Sequence, residues 1–166
     1  SYKNLCYGKV NKFLHEDVGF NYRLPNISAA MGYGQLQQIN SIFEQKERIY
    51  KRYSLNLANV VGLNIPKIED HTSKFIMWVF NVYLDENFKI GRDSLTQLLR
   101  ENNIDTRDAF VPINKQKPIQ ELFQVDENSC PNANYIMENG FYLPSGNNIK
   151  NDEIDIVCDK IIQSNK

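Results

Sequence analysis

The ten residues Phe75–Leu84, FIMWVFNVYL, constrain this chain more than any other stretch. Dense in β-branched and aromatic side chains, the run suits a pleated, largely buried surface and predicts a central strand. Asn81 interrupts it, and it is far too short to span a membrane as a helix. A central strand needs neighbours, and the sequence offers three. Leu63-Asn64-Ile65-Pro66 reads as a short edge strand, since proline cannot donate to a ladder. IDTRDAFVPI at 104–113 reads as extended, and FYLPSG at 141–146 as a brief strand.

Helical patterns separate these strands. Gly91-Arg92-Asp93 opens one with Leu95, Leu98 and Leu99 inward, ended by Glu101-Asn102-Asn103. Pro118–Phe123 is a second, and Asn132–Glu138, stopped by Gly140, a third. Asp152–Gln163 is the last, with Ile154, Val157, Ile161 and Ile162 on one side. The order from residue 60 is strand, strand, helix, strand, helix, helix, strand, helix. This predicts an α/β unit of about a hundred residues, an ordinary domain size, with a small sheet flanked by helices.

The front of the chain is of another kind. Residues 1–24 mix aromatic and polar residues without sustained periodicity and read as loop or short extended structure. Asn26 after Pro25 is placed to cap a helix with Ile27, Ala30, Met31, Gly34 and Leu36 on its apolar face. Its small residues, Gly32 and Gly34 among them, allow another backbone to approach closely. Asn40-Ser41 offers a break and a new cap, after which Ile42, Phe43, Ile49, Tyr50, Tyr53 and Leu57 mark a second, amphipathic helix. Loop and two helices precede the α/β unit without strands of their own. The expectation is therefore a piece of something larger, with residues 1–58 ending one domain and 59–166 forming a small C-terminal α/β domain.

Composition narrows the chemistry. With 42% hydrophobic and 11% aromatic residues, the 166-residue chain can bury a core. Nineteen basic residues against twenty acidic ones leave a net charge of −1, so no general field draws the chain to nucleic acid or to an acidic membrane. Any bound anion must meet a local site. Cys6, Cys130 and Cys158 are widely spaced and form no Cys-x-x-Cys pair; His15 and His71 form no helical pair. The reading is reduced cysteines, a cytoplasmic location without a signal peptide, and no metal site.

Three segments carry a resemblance. HEDVGFNYRLPNISAAMGYGQLQQI at 15–39 resembles the part of the DegT/DnrJ/EryC1/StrS sugar aminotransferases in which a histidine and a Gly-aromatic-Asn-Tyr-Arg run precede a helix carrying AA-x-G-x-x-Q-L. IDTRDAFVPINKQ at 104–116 is similar to that family's TRP…PLH-x-Q stretch, and FYLPSGNNIKNDEIDIVCDKI at 141–161 to its LPS strand, loop and final helix. The three fall in family order.

The resemblance implies the C-terminal portion of a pyridoxal 5'-phosphate enzyme of the aspartate-aminotransferase fold, a homodimer acting on a nucleotide-linked ketosugar with glutamate as amino donor. The products belong to cell-surface polysaccharides such as lipopolysaccharide, or to deoxyaminosugars. The family's Schiff-base lysine lies upstream of the NYR segment, so no catalytic residue is expected within 1–166, and the chain alone should be inactive. In relatives the Asn of NYR reaches across the dimer to the cofactor phosphate. Asn21 and Arg23 are thus the expected cofactor-binding residues, and His15, Tyr22, Arg107 and Asn114 the substrate-binding ones. Read by themselves, Asn21 serves equally as a turn residue, Tyr22 as a packing aromatic and Arg23 as a surface charge. The family's usual PLH histidine is here Asn114, which can donate to a hydroxyl or phosphate but cannot titrate near neutrality. A sugar dehydratase of the same family, and a non-catalytic interaction module, stay open beside the transaminase.

Overall fold

The computed structural model describes residues 14–15, 18–20, 22–68, 71 and 75–166. They divide into two compact units, one made of the described residues up to Gln37 with Phe110–Met137, the other of Gln38–Ala109 with Glu138–Lys166.

The second unit is built on a four-stranded sheet of β1 (Leu63–Asn64), β2 (Phe80–Leu84), β3 (Arg107–Asp108) and β4 (Gly140–Leu143). Its spatial order is β1-β2-β4-β3, and every pairing is antiparallel. The register runs Phe80↔Leu143 and Val82↔Phe141, so these side chains share one face with Leu84. Against that face lie α2 (Ile39–Leu57), α3 (Arg92–Glu101) and α6 (Asn151–Ser164). Helix α2 contributes Ile49, Tyr53 and Leu57, α3 contributes Leu95 and Leu99, and α6 contributes Ile154, Val157, Cys158 and Ile161. The Tyr53 and Phe80 rings stack with centroids 4.8 Å apart, and the buried Tyr53 hydroxyl donates to the Pro144 carbonyl at 2.8 Å. The result is a helical layer on an antiparallel sheet around one core.

The central strand sits between β1 and β4 as its composition predicts, but only its second half, 80–84, pairs. Its partner explains the limit: Leu143, opposite Phe80, is followed by Pro144, which has no N–H to extend the ladder. Likewise, only Arg107 and Asp108 of the predicted 104–113 strand are paired, and Ile113–Lys115 closes into a 3-10 turn after Pro112. Leu98 is half-buried, whereas Leu95 and Leu99 face the core.

The first unit holds α1 (Asn26–Leu36), the 3-10 turn, α4 (Lys117–Phe123) and most of α5 (Pro131–Asn139). Pro25, with an extended backbone, occupies the cap position of α1, and Asn26 is its first helical residue without a side-chain capping bond. Similarly, α2 starts at Ile39, so Asn40 and Ser41 lie in its first turn; the break falls at Gln37-Gln38. No side chain of α1 is buried; Ile27, Met31, Tyr33 and Leu36 are all exposed.

Candidate functional site

The predicted site residues fall into two groups. His15, Tyr22, Arg23 and Asn114 belong to the first unit and Arg107 to the second. Asn21 lies outside the described residues, as does Cys6.

Phe20 and Tyr22 stack at 5.1 Å between centroids, an arrangement that leaves Tyr22 89% exposed. The next residue, Arg23, is exposed and has no side-chain partner among the described residues. Among the described residues, 22–25 lead into α1 outside any strand, and Pro25 is extended. An open guanidinium offers a planar fork of N–H donors, which suits phosphoryl oxygens.

His15 and Asn114 come into one neighbourhood through Gln116. The His15 backbone N–H donates to Gln116 Oε1 at 2.9 Å, and Gln116 Nε2 donates to the Val111 carbonyl at 3.3 Å. Asn114 is only 4% exposed, and its amide is engaged internally. Its Nδ2 donates to the Glu127 carbonyl at 2.5 Å and to Asn134 Oδ1 at 3.0 Å, while Asn134 Nδ2 donates to the same Glu127 carbonyl at 2.8 Å. Gln120 Nε2 adds a bond to the Asn114 carbonyl at 2.8 Å. Asn114 thus ties the 3-10 turn to α4, α5 and the Asp126–Ser129 turn; both its amide hydrogens point at protein acceptors.

Arg107 is exposed on the edge strand, in register with Tyr142, and lines a groove of about 830 Å³ in the second unit. That groove also holds Trp78 and Lys46, which the sequence did not single out. Lys46 Nζ donates to the Trp78 carbonyl at 2.9 Å and the Ser145 carbonyl at 2.7 Å, tying the bend before β2 to the loop after β4. Partial burial lowers its pKa from the ordinary lysine value. Trp78 was concealed within a run read as buried strand, although its indole is 70% exposed. Its being the chain's one tryptophan was the available signal. Lys46 looked like any charged residue on an amphipathic helix.

Among the described residues no cluster of His, Cys, Asp and Glu could hold a metal, and no helix is long and apolar enough to cross a membrane. Burial pushes the Cys158 thiol up to about 11, leaving it protonated and inert in the core.

Comparison with known proteins places this geometry in context. The pattern of the DegT/DnrJ/EryC1/StrS aminotransferase family matches residues 3–162. GDP-perosamine synthase of Vibrio cholerae is 28% identical over 151 residues, which are 90% of this chain and 40% of that protein. EpsN of Bacillus subtilis carries the name of a pyridoxal phosphate-dependent aminotransferase and is 29% identical over 143 residues, 85% of this chain and 36% of EpsN. A dTDP-4-dehydro-2,6-dideoxy-D-glucose 3-dehydratase of Saccharopolyspora spinosa is 22% identical over 158 residues, 94% of this chain and 34% of that protein. Among solved structures, DesV of S. venezuelae superposes with a TM-score of 0.72 at 25% identity, over 95% of this chain and 41% of DesV. The chain therefore spans about two fifths of the length of the curated relatives it matches.

Proposed function

The chain belongs to the DegT/DnrJ/EryC1/StrS aminotransferase family, whose members depend on pyridoxal 5'-phosphate, and from that premise we propose that it is the C-terminal part of an enzyme that aminates a nucleotide-linked ketosugar. Glutamate gives the amino group and leaves as 2-oxoglutarate, while the sugar's ketone carbon is reduced to the amine. The intact enzyme is a cytoplasmic homodimer supplying deoxyaminosugars for cell-surface polysaccharides such as lipopolysaccharide. Residues outside this chain provide the Schiff-base lysine, so the chain alone turns nothing over.

The observation that carries this reading is the breadth of the match: one family pattern runs from residue 3 to 162, through the NYR segment and through Arg107. The bound cofactor supplies the electron sink and carries the amino group. This chain's share is to hold anions. Arg23, open and unpaired among the described residues, and Asn21 meet the cofactor phosphate, with Asn21 acting across the dimer. Tyr22 and His15 border the substrate. Arg107 meets the sugar nucleotide from the small domain. Asn114, buried and internally bonded, shapes its loop.

The test is to incubate the intact enzyme with pyridoxal phosphate, glutamate and a panel of GDP-, UDP- and dTDP-linked 4-ketosugars. The expected products are an aminated sugar and equimolar 2-oxoglutarate; the 166-residue chain alone should give neither. A sugar that loses water without gaining nitrogen would replace this reading with the dehydratase one, which the similarity to the Saccharopolyspora enzyme favours. Turnover by the isolated chain would sink the claim that the lysine lies elsewhere.

A further inference from the structure

Lys46 differs in its partners from other lysines of the chain. Lys51 and Lys117 pair with carboxylates one helical turn away, Glu47 at 2.6 Å and Glu121 at 3.9 Å. Among the described residues the Lys46 ammonium meets no carboxylate; its partners are two backbone carbonyls. We propose that Lys46 is a modification site, acylated at Nζ by small acyl phosphates, and that the modification unties the bend before β2 from the loop after β4.

The hydrogen-bond count makes the amine available. An ammonium has three N–H donors, and Lys46 spends two of them, on the Trp78 carbonyl at 2.9 Å and the Ser145 carbonyl at 2.7 Å. A neutral amine still has two. Losing the third proton therefore leaves both bonds in place and puts the lone pair where that third donor stood, away from both carbonyls. A carboxylate partner would hold the charge; two neutral carbonyls are satisfied without it. Partial burial lowers the Lys46 pKa and so works in the same direction, toward a larger share of nucleophilic amine.

Access is provided by the groove that Lys46 lines, whose volume of about 830 Å³ is ample for a small acyl phosphate. The other charged groups lining it are Asp105, Arg107 and Glu153, and Glu153 already accepts from the Lys150 backbone N–H at 2.7 Å. With Lys46 they make two cations and two anions, so no net negative charge turns an anionic reagent away. In the reaction the Nζ lone pair attacks the acyl carbon. A C–N bond forms, the bond from that carbon to the phosphate oxygen breaks, phosphate leaves with the electron pair, and the amine gives up one proton to phosphate or water. Nothing is oxidised or reduced.

The product cannot do what the lysine did. An acyl-lysine amide nitrogen carries one N–H and no charge, so it can serve only one of the two carbonyls. Loss of the tie is local. Tyr53 keeps its own bond to the Pro144 carbonyl at 2.8 Å and holds the loop after β4 from the core side. The parts set free are the Trp78–Val79 bend and Ser145, whose Oγ accepts from the Phe80 N–H at 3.4 Å.

The test treats the full 166-residue chain with acetyl phosphate and follows each lysine by peptide mass mapping at early times. Lys46 should be acetylated faster than Lys51 and Lys117, by about threefold or more, and in urea the three should react alike. Trp78 is the only tryptophan, so its emission reports on the bend. Acetylation of Lys46 should shift that emission and speed exchange of the Phe80 amide, while the Leu95 amide, bonded to the Gly91 carbonyl, stays as it was. Lys46→Gln should reproduce the shift; Lys46→Arg, which has donors for both carbonyls and no nucleophile, should not. Should Lys46→Gln fail to fold by circular dichroism, the acetylated wild-type chain carries the same comparison. Lys46 reacting no faster than Lys51 and Lys117, or a preference that persists in urea, would overturn the modification site. Acetylated Lys46 with unchanged emission and unchanged Phe80 exchange would overturn the untying. No amination assay enters, so the result stands apart from the proposed reaction.

Discussion

Replacing Asn114 with alanine separates the two roles that residue could have. Sequence resemblance made it a substrate ligand; its surroundings make it a brace. The substitution deletes both Nδ2 bonds. The Glu127 carbonyl keeps its bond from Asn134 Nδ2, so that loss is one net hydrogen bond, worth about 1 kcal/mol. Asn134 Oδ1 has no such reserve: at 9% exposure it becomes a buried acceptor without its donor, which costs about 1–3 kcal/mol. Together the first unit should lose roughly 2–4 kcal/mol. Hydrogen exchange reads this locally. The amides of Lys115, Gln116 and Ile119, which donate to Pro112, Ile113 and Gln116, should exchange about 30- to 900-fold faster. Asn134→Ala, alone and combined with Asn114→Ala, completes a cycle whose coupling should be about 1 kcal/mol, because the two side chains share one bond and one acceptor. Additive effects in that cycle, together with unchanged exchange and a weakened sugar-nucleotide affinity in Asn114→Ala, would refute the brace and restore the ligand.

Four further outcomes follow from particular contacts. Gly62→Ala should destabilise the second unit by about 2 kcal/mol or more in urea unfolding, since Gly62 has φ +76° and a Cβ would sit 2.2 Å from the Phe88 nitrogen. Tyr53→Phe should lose about 1 kcal/mol by the same assay, because the Pro144 carbonyl forfeits its buried donor. Hydrogen bonding from Arg52, then Asn56, holds the Asp155 carboxyl below its ordinary pKa despite an opposing desolvation. The associated stability is present above the unfolded-state value of about 4 and is lost as pH falls through the lower folded one, so Asp155→Asn should flatten the acid limb of a stability-pH curve. Finally, Ile27→Glu with Met31→Glu should shift the chain toward smaller species in sedimentation velocity, because α1 exposes both residues on a helix that buries nothing; an unchanged distribution would show that α1 does not mediate association.

What the sequence determined by itself was local and periodic. The 3.6-residue spacing of Leu95 and Leu99, and of Ile154, Val157 and Ile161, marks helices whose buried faces the structure repeats. The β-branched run around Val82 marks the central strand, and the order of elements from residue 60 agrees throughout. Resemblance supplied the family and its cofactor. Tertiary structure decided what depends on partners distant in sequence. Pro144, more than sixty residues beyond Phe80, sets where β2 stops pairing, and no pattern within 75–84 contains that information. Asn114 could be read as a ligand because an amide looks the same in a turn or a cleft; only the approach of Asn134 and Glu127 occupies its donors. Trp78 shows the opposite case. A tryptophan in an apolar run suggests core, yet Lys46, thirty-two residues earlier, bonds the Trp78 carbonyl and the Ser145 carbonyl together, and the Trp78 ring is left outside. Periodicity records which face of an element is apolar, whereas exposure of one side chain depends on what the rest of the chain brings beside it.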